Sequence, residues 1–542
     1  MPLHSLYTEA LQAIDPMRGF ELLSTLARLH RVQGSEELLV AAEHVAMQLQ
    51  EAGIEASLEH LQGPLGLWEH YGFWEPPGWR LVGGSVERMR SDGKWETVAS
   101  TQETPLVVMP HSPPGTVTAT AVHARPWLGR GQGVAVTAEP GWEGYYVLTM
   151  EQGFEAVVGF HWGPGVRYWG LHPRPGREPS APAASIPAEA AQRIIGEKIR
   201  VSVEAEYRPP STPVVVARLG DTSGPQVVMV AHLCHPRPGA HDNASGVAVA
   251  AEALRALHAL EQRLREAGVG VAAVLAPEWT GTAAAVTQSL IEPGQAVLGI
   301  SLDMLAASLR ATGGRLRLVT PPSPMVSLLD PVLDALLAAT DGENYGGAAA
   351  YEWGSDHDVL LGHSVPASLL NEWPDSYYHT SLDTPDHINP VRLAATAASL
   401  AASVVYTAAS PQRAAEAATR LHSHLLSRTV VLGGSGSAAV ELAKKAEEAA
   451  AGQAYAVARH EWPERPAPVV ERRPPYSRTY IYLHLGDRRL LRDRGLREAA
   501  RRMATVAAAA GSWEVAELHH ALLHGRPPSR EEVEAARRLA SG

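Results

Sequence analysis

From Ala10 to Gly53 apolar residues return at three- and four-residue intervals, in FELLSTLARLH and then in LLVAAEHVAMQLQEAG, which is the spacing of amphipathic helices. A glycine closes the second run before the strand-like IEASLEHL. Between the runs, HRVQGSEE offers Gly34 and Ser35 as a turn and a helix cap. GLWEHYGFWEPPGW comes next, and its Trp, Gly and Pro predict packed loops rather than long strands. Between about Val98 and Glu206 the pattern changes to short β-branched runs, TPLVVM, GQGVAVTA, YYVLTM and AVVGFHW, and it closes on SIPAEAAQRII and the strand IRVSVEAEY. That stretch is expected to form an inserted, β-rich α/β module.

From Thr212 strands and helices alternate: PVVVARLG, PQVVMVAHL, a helix from Ala244 to about Ala267, GVAAVLAP, a helix after Thr280, then AVLGISLDM. Near-continuous apolar strands bounded by helices predict an α/β fold with a mainly parallel mixed sheet buried on both faces. From Pro411 the chain turns to Ala, Glu and Arg at helical spacing, broken near PERPAPVVERRPP. The expected division is 1–97 and 207–410 for the main α/β domain, 98–206 for the insert, and 411–542 for a helical C-terminal domain.

A chain of 542 residues exceeds one ordinary core, which agrees with several domains. With 45% hydrophobic and 19% charged residues the composition is globular. A net charge of -12 argues against nucleic acid as a partner. The first residues have no cationic segment leading into an apolar run, and no uninterrupted apolar stretch reaches bilayer length, so neither a secretion signal nor a membrane partner is expected. Cys234 is the single cysteine and can form no internal disulfide, which fits a cytoplasmic location. A homo-oligomer remains open.

Candidate chemistry is concentrated after VVMVAHL. His232 ends that apolar strand, and Asp242 follows a Gly/Pro loop just before a helix, at the strand ends where open α/β sheets bind ligands. Imidazole and carboxylate are the usual non-thiolate zinc ligands. Asp242 with Asn243 and Ser245 would also serve as a helix cap. Three histidines and an aspartate within eleven positions favour the metal. Glu278 after VAAVL, Asp303 at the end of AVLGISLD, Asp356 with His357, and His379 in YYHTSLDT supply further parts of one centre.

In the order HRVQGS, AHLCHP, DNASG, a PE-x-x-G element and YHTSLDTPD, residues 10 to 408 resemble the co-catalytic zinc aminopeptidases related to bacterial leucyl aminopeptidase, glutamate carboxypeptidase II and glutaminyl cyclase, and within them a bacterial aminopeptidase-like subgroup. The resemblance implies His232, Asp242, Asp303 and His379 as metal ligands, with Asp242 bridging, and Glu278 as general base on the attacking water. It puts Asp356 and His357 beside the substrate. Two departures stand out: Trp279 occupies the place of a second glutamate, and Cys234 that of an aspartate two residues after the first histidine.

His235 could replace the lost glutamate. The ligand set is then either His235, Asp242 and His379 or His232, Asp242 and Asp303, with Cys234 a minor third option. One tightly bound zinc is expected, and a second, weaker one is open, because indole neither coordinates nor carries charge. The implied activity is hydrolysis of N-terminal residues from peptides. Tyr378 or His357 would steady the oxyanion, and Glu372, Asp375 or Asp383 would bind the α-amine, with Asp383 alternatively supporting His379. Two rival readings are a mononuclear aminoacyl transferase or cyclase of the glutaminyl-cyclase kind, and a non-catalytic binding protein of the same fold. A retained base at Glu278 argues against the second.

Overall fold

The computed structural model describes residues 2–62, 75–126, 128–173, 178–323, 325–431, 435–459, 493–510 and 512–541. Its main domain is an eight-stranded sheet in the order Glu55–Gln62, Ser211–Gly220, Gly270–Ala276, Gln226–His232, Ala296–Asp303, Ala367–Trp373, Arg315–Val319, Tyr345–Ala349. The four central strands, 270–276, 226–232, 296–303 and 367–373, run parallel; 211–220 and 315–319 join them antiparallel on either side, with 55–62 antiparallel to the first and 345–349 parallel to the second. Side chains alternate across this sheet: Val227, Met229 and Ala231 enter one core, while Val228 and Val230 enter another. Both faces are therefore apolar, as continuous hydrophobic strands require.

Helices Leu3–Gln12, Pro16–Leu26, Gly246–Ala259 and Pro390–Ala409 pack together over one face. By length and composition alone, Pro390–Ala409 could cross a membrane, but 83% of its apolar window is buried here. The helix expected from Ala244 to Ala267 breaks at Leu260 into Gly246–Ala259 and Glu261–Ala267.

The insert is a seven-stranded sheet in the order Trp95–Ser100, Gly78–Met89, Lys198–Arg208, Gly115–His123, Val134–Ala138, Ala156–Phe160, Ala183–Ser185. Two of its strands, Gly78–Met89 and Trp95–Ser100, begin before residue 98. Composition marked the turn-rich run before Gly78 but could not say which sheet the strand after it would join. Most of GLWEHYGFWEPPGW lies outside the described residues, as does the break near PERPAPVVERRPP. YYVLTM, expected as a strand, is helical: Gly141–Tyr146 and Val147–Glu151 are consecutive helices. Tyr145, Tyr146, Val147 and Leu148 are buried, and the Tyr145 hydroxyl donates to the Ala181 carbonyl, so tertiary packing overrides β propensity. After Pro411 the described residues are helical, as expected.

Candidate metal centre

Parallel register brings the candidate residues together. His232 lies opposite Ala276, two residues before Glu278, and Asp303 lies opposite Asn371 on the strand that leads to the His379 loop. Four strands thus deliver their carboxyl ends to one rim. Asp242 reaches the same rim from the loop that opens helix Gly246–Ala259.

The side chains meet around Asp242. Its Oδ1 is 3.4 Å from His232 Nε2, which is 3.3 Å from Asp303 Oδ1. Its Oδ2 is 3.4 Å from His235 Nε2 and 3.2 Å from His379 Nε2. The two sets weighed as alternatives from the sequence are both assembled, and they share Asp242 through different oxygens. Ligand atoms about 2.0–2.1 Å from a tetrahedral zinc lie roughly 3.3 Å apart, so these spacings are those of a coordination shell. Among the described residues, His235 Nε2 and Asp303 Oδ1 are buried without a well-formed hydrogen bond, which is the condition of an atom meant for a metal.

Tautomers agree with that role. His232 Nδ1 lies 3.0 Å from the Cys234 carbonyl and His235 Nδ1 lies 2.6 Å from that of Pro236. A carbonyl only accepts, so both Nδ1 atoms carry a proton and both Nε2 atoms face Asp242. Gly239, at φ +56°, is obligatory beside them, because a Cβ there would fall 2.2 Å from His235 Nδ1.

Electrostatics mark the site as a cation trap. Burial alone would raise the Asp242 carboxyl, yet His235, His379 and His232 hold it well below the usual range. Burial pulls the His379 imidazole down to about 4 against the attraction of Asp242. It also pushes Glu278 well above the usual carboxylate range, with Asp303, Asp356 and Asp242 adding to the effect and His232 opposing it. Bound dications would reverse that push and restore a carboxylate. Glu278 is held through its backbone: its N–H points at Cys234 Sγ at 3.1 Å, and its carbonyl accepts from Gln33 Nε2 at 3.1 Å.

Residues 214–404 match the family model described as Peptidase family M28. That match takes in His232, His235, Asp242, Glu278, Asp303 and His379. No curated protein matches the chain in sequence. Among solved structures, the zinc aminopeptidase BSAP of Bacillus subtilis superposes with a TM-score of 0.54 at 16% identity, over 73% of this chain and 95% of that one. A Peptidase M28 precursor from Shewanella amazonensis SB2B gives 0.53 at 19%, over 75% and 96%. Likenesses this remote speak to the α/β fold, and they agree with the sheet described above.

Several expected substrate contacts have other partners in this domain. Glu372 is fully buried, 2.8 Å from Arg392 and 3.2 Å from His241, and it accepts from the Ala307 N–H. Asp375 lies 2.6 Å from His241 Nδ1. Asp383 accepts from the N–H groups of His241 and Asp242 at 2.7 and 3.0 Å, so it holds the backbone of the shared ligand instead of an amine or His379. His357 is buried with Nε2 against the Glu352 carbonyl and does not line the cleft beside Asp242 and Glu278. Asp356 takes the Trp279 N–H at 2.7 Å and therefore supports the Glu278 loop.

Three residues were missed. Tyr168 of the insert stacks on His379 at 4.5 Å, and Tyr378 stacks at 3.7 Å from the same ring, so the imidazole lies against both phenols. Arg31, fully buried, donates to the carbonyls of Leu233, Gly239 and Leu26, and its own carbonyl accepts the His235 N–H at 2.8 Å, fixing the ligand loop. His241, counted among the histidines but given no role, anchors the residue next to Asp242 between two carboxylates. HRVQGS contained Arg31 but gave no reason to separate a loop clamp from a surface arginine.

The His241 anchor continues through Glu372 to Arg392, which also pairs with Asp341 at 2.5 Å. Arg392→Met would leave the buried Asp341 without its cation and Glu372 with His241 alone. Urea unfolding should show a loss of about 3–5 kcal/mol with an unchanged m-value, and a loss under about 1 kcal/mol would mean the network is not carrying that charge.

Proposed function

We propose that the protein is a zinc-dependent aminopeptidase that hydrolyses N-terminal residues from peptides. The observation that carries this is Asp242, each of whose oxygens faces a separate ligand group, with Glu278 lining the same cleft. Likeness to the Bacillus subtilis zinc aminopeptidase supports the choice within the family. The cleft beside the ligands is bounded by Val32, His111, Tyr168 and Pro236.

His232, Asp242 and Asp303 would hold one zinc, and His235, Asp242 and His379 the other. Zinc bound there would polarise the scissile carbonyl and bring the pKa of water toward neutrality. Glu278 would take the proton of the attacking water and return it to the leaving amine. Tyr378, whose hydroxyl is kept protonated by burial and by Asp242, Glu278 and Asp303, would donate to the oxyanion.

The sequence expectation of one tight zinc rested on Trp279 removing a ligand. His235 fills that vacancy with a neutral side chain, so the site has ligands for two ions but one carboxylate fewer to balance them. The set with Asp303 carries two carboxylates and should bind first. His235→Ala is therefore expected to lose only the weaker zinc on dialysis, and Asp303→Asn both. Metal analysis giving the reverse order would assign the tight site to His235.

Activity is tested with unblocked and N-acetylated aminoacyl p-nitroanilides and with an N-terminal glutaminyl peptide. Cleavage confined to unblocked substrates supports the proposal. Ammonia release from the glutaminyl peptide without peptide cleavage would support the cyclase instead.

A further inference from the structure

Among the described residues the C-terminal helical domain contributes none to the lining of the cleft, yet it packs on the segment that supports the Glu278 loop. Trp279, next to that carboxylate, adopts φ +56°, a left-handed backbone that a bulky L-residue rarely takes. Such a conformation persists only when its surroundings enforce it. Two contacts do so. Asp356 accepts the Trp279 N–H at 2.7 Å, and the indole packs on Trp353 with ring centroids 5.2 Å apart.

Trp353 is in turn covered from the C-terminal domain. The Arg501 guanidinium, on helix Arg494–Ala510, lies 4.6 Å from its ring centroid, and Arg501 is itself buried. That helix also packs against helix His357–Gly362, which follows Asp356 directly. Tyr351, two residues before Trp353, bonds Asp358 at 2.8 Å and comes within hydrogen-bonding reach of Thr505. Both supports of Trp279, the ring of Trp353 and the carboxylate of Asp356, therefore belong to one short segment that the C-terminal helix braces.

We propose that Arg501 and Trp353 are positioning residues through which the C-terminal helical domain fixes Trp279 and thereby aims Glu278 at the metal centre. The cation–π contact holds Trp353, Trp353 holds Trp279 in its left-handed conformation, and that conformation sets the direction of the preceding side chain. The inference rests on Glu278 being the base of the proposed peptidase. Without the brace, Trp279 relaxes to an ordinary backbone and the carboxylate swings out of line. A displacement of about 1 Å in a reacting group costs on the order of a hundredfold in rate.

The test uses full-length, zinc-loaded protein labelled with 5-fluorotryptophan, with the resonances of residues 279 and 353 assigned by Trp279→Phe and Trp353→Phe. Arg501→Ala is expected to shift both resonances and to lower kcat roughly ten- to a hundredfold, with KM and zinc content unchanged. Arg501→Lys, which keeps the cation, should restore most of the rate. Trp353→Leu gives the same kcat loss by a second route should Arg501→Ala fold poorly. An unmoved Trp279 resonance overturns the inference, and so does unchanged kcat, or a rate loss that follows zinc loss and is not rescued by lysine. Should the unsubstituted protein cleave no peptide, the peptidase reading fails while the fluorine shift still decides whether the C-terminal domain grips Trp279.

Discussion

Glu278→Gln is expected to lower kcat by about two to four orders of magnitude while bound zinc, KM and thermal stability stay close to the parent protein. The substitution removes a proton acceptor and preserves shape. None of the groups that fix the backbone of residue 278 is changed: Gln33 and Cys234 still grip it, and Trp279 still has Asp356 and Trp353. Glu278 belongs to neither ligand group, so metal analysis of the variant should match the parent. Activity within tenfold of the parent would remove Glu278 from the mechanism. A variant that loses zinc along with activity would make it a ligand, and the two three-residue groups would need redrawing.

Asp242→Asn is expected to abolish both metal positions at once, because one carboxylate serves both groups. An amide oxygen keeps the shape but loses the charge that three imidazoles now surround. Repulsion between two dications rises steeply without that bridging anion. Two measurements check this. Zinc analysis after dialysis should give none where the parent retains at least one ion. Thermal unfolding should show the parent stabilised by added zinc, by about 2.7 kcal/mol at a hundredfold excess over Kd, and the variant unresponsive. A variant that keeps one zinc would mean that Asp242 belongs to a single site, and the shared geometry would have no bearing on catalysis.

The sequence by itself determined the α/β architecture and named the side chains that the fold gathers around Asp242. Near-continuous apolar runs inside helical punctuation are a local signal, and they specified the parallel core because a strand buried on both faces has to be hydrophobic throughout. His232, Asp303 and the approach to Glu278 were legible because they end such runs, and chain direction in a parallel sheet puts every run's end on one rim. His235, Asp242 and His379 were legible through short motifs.

Only the tertiary structure decided what each carboxylate does. Glu372, Asp375 and Asp383 look alike in sequence to acids that bind an amine. Their partners, Arg392, His241 and the Asp242 backbone, come from segments far away in the chain, and a buried charge is claimed by whichever opposite charge the fold brings nearest. The same holds for the metal sets. His232 and His235 appeared to compete because they are three residues apart, but the bend after the strand turns their rings toward different oxygens of Asp242, and both find a place. Strand membership of Gly78–Met89, the helical turn at YYVLTM, and the entry of Tyr168 and Arg501 into the surroundings of the site were likewise settled by long-range packing, for which a local pattern carries no signal.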